Sequence, residues 1–313
     1  MSWQRSWRQV AWIALKWVAG VVFVVFLGIA IAQNWTQVRG AMDQLPPANL
    51  AASIALAGLA LTFSGLQQHS LLAAFGASSI GVRGFLGAFF LAQLGKYAPG
   101  TGLAYVAQME LSRTLGVRRA ASVVAMALGA GMTILLAVCF GGVLIGSDTV
   151  RIIPLWLQVA TVVLAALSLL ALMVRPALVS RFLAAMPVRP IRSQFADVHL
   201  PSPAPAVAWS AAAWIAYGLH LAFLLFPYVD DGGAALRAAM GGFPLAWVVG
   251  FLAVIVPAGV GVREAVLAAV LDPLAGAGVA LTVAALSRFA IIIAEALLAG
   301  AGAVVRWPRR RAG

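Results

Sequence analysis

The chain has 313 residues, of which 63% are hydrophobic and only 10% are charged. Water-soluble domains carry far more polar surface, and several stretches exceed the roughly 18 apolar residues that mark a membrane-spanning helix. We therefore predict an all-α polytopic membrane protein and exclude a soluble enzyme. The net charge of +12 is explained by cations in the loops between spans. For this reason we expect no nucleic-acid partner.

Six segments are long and apolar enough to cross a bilayer. The first follows Arg5 and Arg8 and resembles a signal peptide, but the many later spans favour an uncleaved anchor. In chain order, the predicted spans cover residues 18–32, 50–75, 120–145, 155–174, 206–228 and 281–305.

Two further apolar segments, 84–111 and 241–271, are each interrupted by a proline–glycine stretch that contains a lone cation. The first stretch reads GKYAPGTG and the second reads VPAGVGVRE. They lie 158 residues apart (257 − 99), which places Pro99 opposite Pro257. At the same interval the sequence repeats Gly84 as Gly242, Phe85 as Phe243, Ala88 as Ala246 and Leu94 as Leu252. Paired Gly/Pro-interrupted segments in two halves of a membrane protein point to a transport site near the bilayer midplane.

The distribution of Lys and Arg indicates whether these two segments cross the membrane. If both are re-entrant helical hairpins, 15 cations lie on the cytoplasmic side and only Arg39, Arg151 and Arg237 lie outside. If both cross, the counts become 10 and 8. Because cytoplasmic loops carry an excess of cations, we predict hairpins and place both termini in the cytoplasm.

The predicted architecture is therefore six transmembrane helices plus two re-entrant helical hairpins in an inverted repeat. The first repeat covers residues 1–150, with hairpin 84–111, and the second covers 151–313, with hairpin 241–271. Three spans per half give the halves opposite orientations, so the two hairpin tips should approach each other.

Five ionisable residues fall at membrane depth in this arrangement, where each charge costs at least ~2.5 kcal/mol. They are Lys96, Arg263, Glu264, Arg288 and Glu295. One alternative is internal pairing, with Arg288 and Glu295 seven residues apart on one helix face. The excess of cations beside broken helices favours a second interpretation, a site for an anionic headgroup. In that site Glu264 and Glu295 would orient the cations or exchange protons.

The residues around the two prolines complete the predicted substrate site. Proline ends a helix and frees backbone groups, and glycine permits a tight turn, which assigns Pro99, Gly100, Pro257 and Gly259 to it. Tyr97 is added as a group that could bond a headgroup. Nearby glutamines, which either line a polar path or join helices, are Gln67, Gln68, Gln93 and Gln108.

The proline–glycine segments resemble the lysylphosphatidylglycerol synthase transmembrane-region family, which includes the flippase half of the multiple peptide resistance factor. The residues that carry the resemblance are 95–100 (GKYAPG), 111–113 (LSR), 115–117 (LGV), 251–252 (FL) and 257–264 (PAGVGVRE). The resemblance implies movement of a lipid with a charged headgroup between leaflets. This sequence departs from the family in the neutral residues 102–105 after the first Pro-Gly. It also lacks an aminoacyl-transferase domain, so we expect no lysylphosphatidylglycerol synthesis.

The sequence thus predicts a flippase-like transporter in the bacterial inner membrane, acting on a phospholipid or a polyprenyl-phosphate sugar. No catalytic residue, metal site or cofactor is predicted, and a homo-oligomer or a lipid-modifying enzyme is a possible partner. Two alternatives stay open. One is a polyprenyl-phosphate-dependent glycosyltransferase that uses Asp230 or Asp231, and the other is an accessory subunit of a lipid-modifying enzyme.

Overall fold

A computed structural model describes residues 35–77, 80–97, 103–144, 153–174, 203–253 and 261–306. Nearly all of these residues are helical, and no strand occurs among them. The helices are α1 (Trp35–Gln44), α2 (Pro47–Leu72), α3 (Val82–Gln93), α4 (Leu103–Arg113), α5 (Arg119–Gly141), α6 (Leu155–Val174), α7 (Ala204–Leu225), α8 (Gly232–Leu252), α9 (Val262–Ala275) and α10 (Ala277–Arg306).

Six helical stretches within the described residues are long and apolar enough to cross a membrane. They are Pro47–Phe75, Arg119–Leu144, Leu155–Val174, Ala204–Tyr228, Gly232–Leu252 and Ala277–Val304. The prediction of an all-α polytopic membrane protein is confirmed, and five of the six predicted spans are found as helices. The remaining prediction, a span over 18–32, lies outside the described residues.

Local chemistry explains how the long helices begin and remain satisfied in an apolar medium. Helix α2 follows Pro46, whose backbone is extended, and has Pro47 at its first position, where the missing N–H costs nothing. Three hydroxyl groups inside this helix, those of Thr62, Ser64 and Ser70, donate to the carbonyl four residues back. Such bonds satisfy a hydroxyl within its own helix.

The interrupted segments are two pairs of antiparallel helices. In the first pair, α3 and α4, the backbone of Gly95 lies against that of Ala104. In the second pair, α8 and α9, Gly250 faces Arg263. We call α3–α4 the first hairpin and α8–α9 the second hairpin. Their re-entry into the membrane from one side stays a prediction.

The second hairpin begins earlier than the sequence predicted. Helix α8 starts at Gly232, nine residues before the predicted start at Gly241. Asp231 caps it, because its Oδ1 accepts a hydrogen bond from the N–H of Ala234 at 3.0 Å. This cap and the apolar residues that follow sustain the helix from Gly232 onward.

Three pairs of helices repeat along the chain at an almost constant interval. Helices α5 and α10 begin 158 residues apart (277 − 119), α4 and α9 begin 159 apart (262 − 103), and α2 and α7 begin 157 apart (204 − 47). Residues at the repeated positions also share their environment, since Phe85 and Phe243 are both fully buried.

Helices α2 and α7, which occupy corresponding places, run in opposite directions. In the pair α2 and α7, Asn49 bonds to the carbonyl of Phe223 near one end. Phe63 stacks on Trp209 near the other end. Antiparallel packing of equivalent helices is what an inverted repeat requires. The division into repeats at residue 150 stays a prediction.

Candidate functional site

The turn that ends α3 brings Lys96 and Tyr97 onto a single carboxylate of α10. Lys96 Nζ forms an ion pair with Oε1 of Glu295, and the hydroxyl of Tyr97 donates to Oε2 at 2.6 Å. Glu295 is only 2% exposed. Both of its oxygens are therefore engaged by the first hairpin, as a buried carboxylate requires.

The second hairpin contributes Glu264, which lies in the first turn of α9. Its Oε2 accepts a hydrogen bond from the backbone N–H of Gly261 at 2.6 Å. Gly261 has a φ of +100°, a conformation that favours glycine. The other oxygen, Oε1, lies 3.8 Å from Nη1 of Arg288 and makes no hydrogen bond. The contact with Arg288 is thus an ion pair that is longer than a hydrogen bond.

Arg288 connects the two hairpins. Its guanidinium carbon lies 5.9 Å from the centre of the Tyr97 ring, while its Nη1 faces Glu264. Arg288 and Glu295 are two turns apart on α10, as the sequence indicated. They form ion pairs with the hairpins and not with each other, which differs from the predicted alternative of pairing within the helix.

Arg263 has a different environment from the other two cations. It is 8% exposed, and its guanidinium carbon lies 4.5 Å from the centre of the Phe243 ring. Within the described ranges, no carboxylate lies within ion-pair distance of it and no hydrogen bond involves its side chain. A cation–π contact is weaker than a buried ion pair, and it is the contact that the described residues provide for this guanidinium.

These residues form what we call the charged cluster, whose members are Lys96, Arg263, Glu264, Arg288 and Glu295. Three cations face two carboxylates, which leaves one formal positive charge (3 − 2). An uncompensated charge in a low-dielectric interior is costly. An anion bound at this point would remove the imbalance.

A cavity of about 200 Å³ adjoins the charged cluster at Lys96. Four glutamines that the sequence singled out, Gln67, Gln68, Gln93 and Gln108, all line it. Gln67 also joins two helices, because its Nε2 donates to the carbonyl of Gly129 at 3.1 Å. The two interpretations of these glutamines, a polar path and a helix–helix contact, thus both apply.

The structure brings together six of the ten predicted site residues, namely the charged cluster and Tyr97. The other four, Pro99, Gly100, Pro257 and Gly259, lie outside the described residues. Sequence reasoning missed the aromatic wall of the cavity, formed by Trp214, Tyr217, Trp247 and Phe251. Trp214 and Tyr217 are three residues apart, and Trp247 and Phe251 are four apart, so each pair lies on one helix face. This spacing could have revealed the aromatic wall.

Among the described residues, no group of His, Cys, Asp and Glu is arranged to hold a metal ion. No protein-family model matches the chain, and no curated protein matches it. What the chain's own geometry establishes is a multi-pass membrane protein with charged and polar groups gathered between its helices.

Proposed function

We propose that the protein is a flippase-like transporter that moves an anionic lipid between leaflets. The observation that carries this proposal is the charged cluster, in which both hairpins meet α10 with one more cation than carboxylate. A phosphodiester has a single negative charge, so it would balance the cluster. Both a phospholipid and a polyprenyl-phosphate sugar contain such a group.

Arg263 is the residue we assign to the phosphate. Its guanidinium has no carboxylate partner in the described part of the chain, and its planar fork suits two phosphate oxygens at once. Lys96 and Arg288 would add charge nearby, although Glu295 and Glu264 already neutralise them in part. Because charges at this depth are expensive unless they have a partner, a lipid phosphate gives Arg263 a role that packing alone does not.

The hairpins are suited to alternating access. One ion pair links the first hairpin to α10 through Glu295, and one links the second hairpin to α10 through Arg288. The corresponding helices of the two halves run antiparallel, which favours opening toward opposite sides of the membrane. We propose that lipid binding weakens one link at a time.

The resemblance to the lysylphosphatidylglycerol synthase transmembrane-region family supports the same function, and we propose membership of that family and a location in the bacterial inner membrane with both termini in the cytoplasm. The glycosyltransferase alternative relied on Asp230 or Asp231. Asp231 acts as a helix cap, so no observation favours that alternative.

The test is lipid translocation in proteoliposomes. The full-length protein is reconstituted with fluorescent phosphatidylglycerol, and the loss of outer-leaflet fluorescence to an impermeant reductant is followed. A hydrogen bond to a charged group contributes about 1.5–3 kcal/mol, so Arg263→Gln should slow translocation about 10- to 150-fold. Arg263→Lys should restore only part of the rate, because an ammonium cannot replace the bidentate guanidinium.

The matched control is Arg237→Gln, which removes an exposed cation of α8 outside the charged cluster and should leave the rate unchanged. The proposal fails if the wild-type protein moves no lipid. It also fails if Arg263→Gln translocates normally, or if this variant and Glu264→Gln both fail to fold, because the cations would then be structural.

A further inference from the structure

We propose that the cavity beside the charged cluster binds an uncharged, hydroxyl-rich headgroup, either a sugar or a glycerol, while the cluster holds the attached phosphate. The inference rests on the proposed function and names the class of lipid. The uncharged headgroup inferred here differs from the charged headgroup that the family resemblance implies.

The first step concerns three amides that converge from three helices. Gln68 of α2, Gln93 of α3 and Gln108 of α4 line the cavity, and none of them forms a hydrogen bond with another described residue. Gln108 is only 6% exposed, and the Oε1 of Gln68 is buried without a partner. Buried polar groups are rarely left unsatisfied, so the cavity should contain something that bonds to them.

The second step matches the bonding groups. A carboxamide offers both an acceptor oxygen and two N–H donors, and a hydroxyl likewise donates and accepts. An ammonium only donates, and a phosphate oxygen only accepts. Several carboxamides around one space therefore suit a ligand with several hydroxyl groups.

The third step excludes a cationic headgroup. The described residues that line the cavity include no carboxylate, and their only charged member is Lys96. The two carboxylates of the charged cluster, Glu295 and Glu264, already face a cation each. An amine such as that of an aminoacylated or ethanolamine lipid would therefore be repelled by Lys96 and desolvated without compensation.

The fourth step concerns shape. Trp247 stacks on Phe251 with centroids 5.1 Å apart and planes 10° apart, and Trp214 meets Trp247 edge-on. Flat aromatic walls combined with a few polar groups are typical of small-molecule sites, and they suit the C–H face of a sugar ring. A volume of about 200 Å³ is of the size needed for one ring or one glycerol.

The experiment measures lipid binding to the purified full-length protein in detergent. Four lipids are titrated, and the apparent Kd is obtained from the rise in thermal unfolding midpoint. The four lipids are phosphatidylglycerol, a polyprenyl-phosphate hexose, phosphatidylethanolamine and phosphatidic acid. At least one of the two hydroxylated lipids should bind about tenfold more tightly than phosphatidylethanolamine, and the stronger of the two identifies the source of the headgroup.

Two variants address the amides directly. Gln108→Leu and Gln68→Leu should each weaken binding of the hydroxylated lipid about 2- to 13-fold, as expected for one neutral hydrogen bond, and leave phosphatidic acid unchanged. Gln108→Glu should shift the preference toward phosphatidylethanolamine, because it supplies the missing carboxylate. Gln158→Leu on α6, which does not line the cavity, is the matched control.

The outcomes separate this inference from the proposed function. Selective binding without translocation in proteoliposomes would keep the headgroup assignment and overturn the flippase. Translocation without headgroup selectivity would keep the flippase and overturn the headgroup assignment. If no lipid binds, or if the leucine variants bind all four lipids like the wild type, the cavity contains only water and the inference is wrong.

Discussion

The two hairpins share a sequence motif but differ in length. The arms of the first hairpin have 12 and 11 residues, so the longer one measures about 18 Å and is too short for an apolar layer of about 30 Å. The first arm of the second hairpin has 21 residues and measures about 30 Å. The comparison teaches that a duplicated proline–glycine motif does not fix the length of the helices that flank it.

They also differ in how firmly they contact α10. The first hairpin engages both oxygens of Glu295. The second has one ion pair at 3.8 Å between Glu264 and Arg288, and it carries Arg263, the cation without a carboxylate partner in the described structure. We therefore expect the first hairpin to act as the anchor and the second to respond to substrate.

The sharpest test of the comparison concerns the side of the membrane from which each hairpin starts. Single cysteines replace the exposed residues Thr114 and Ala277, which follow the first and second hairpins, in a Cys139→Ala background. Inverted repeats predict that an impermeant reagent labels position 114 only from the cytoplasm and position 277 only from outside. Labelling of both positions from one side would contradict the inversion.

The next largest effect should come from the two carboxylates. Glu295→Gln should lower the free energy of unfolding by about 1.5–3 kcal/mol, because it leaves the partly buried Lys96 without its counter-charge. Glu264→Gln should cost only about 1 kcal/mol, because the amide oxygen can still accept from Gly261. Denaturant unfolding in mixed micelles measures both values. Equal losses of unfolding free energy would contradict the idea that the first hairpin is the anchor and that the second responds to substrate.

Close packing within each hairpin gives a smaller contrast. A Cβ on Gly95 would lie 2.9 Å from backbone atoms of Ala104, so Gly95→Ala should cost about 1–3 kcal/mol. A Cβ on Gly250 would lie 3.0 Å from the Cβ of Arg263, where the helix start can adjust, so we expect less than about 1 kcal/mol there. Gly131→Ala, which meets open space, is the control. A larger loss at Gly250 would show that the second hairpin is the tighter one.

The smallest effect concerns the cap of the second hairpin. Asp231→Ala should cost about 1 kcal/mol, because the N–H of Ala234 loses its acceptor, with lipid translocation unchanged. Arg237→Gln isolates the exposed ion pair, which lies at 3.9 Å, and should cost no more than a few tenths of a kcal/mol. If Asp231→Ala abolished activity at normal stability, the glycosyltransferase alternative would regain support.

Much of the fold could be predicted from the sequence, because apolar length is a strong constraint in membrane proteins. The runs over 120–145 and 281–305 contain few residues that break a helix, and both are found as helices. The start of α8 was predicted nine residues too late, and Gly232 and Gly233 at that start are poor helix formers in isolation. Tertiary packing and the Asp231 cap override that preference.

The candidate site was predictable in its members but not in its pairs. Charged residues in apolar segments identified Lys96, Arg263 and Glu295, because the cost of burying a charge demands a reason. Which cation meets which carboxylate depends on how the hairpins dock, and no local pattern contains that information. The aromatic wall of the cavity was missed because it is assembled from two helices, as with Trp214 of α7 and Trp247 of α8.

The positions of Arg288 and Glu295 on one helix have a mechanical consequence. Seven residues along a helix span about 10 Å. The ion pairs that join α10 to the first and the second hairpin therefore lie about 10 Å apart along this helix. A small axial shift or rotation of this helix would therefore act on both ion pairs at once. In the transport cycle that we propose, α10 would couple the movement of one hairpin to that of the other.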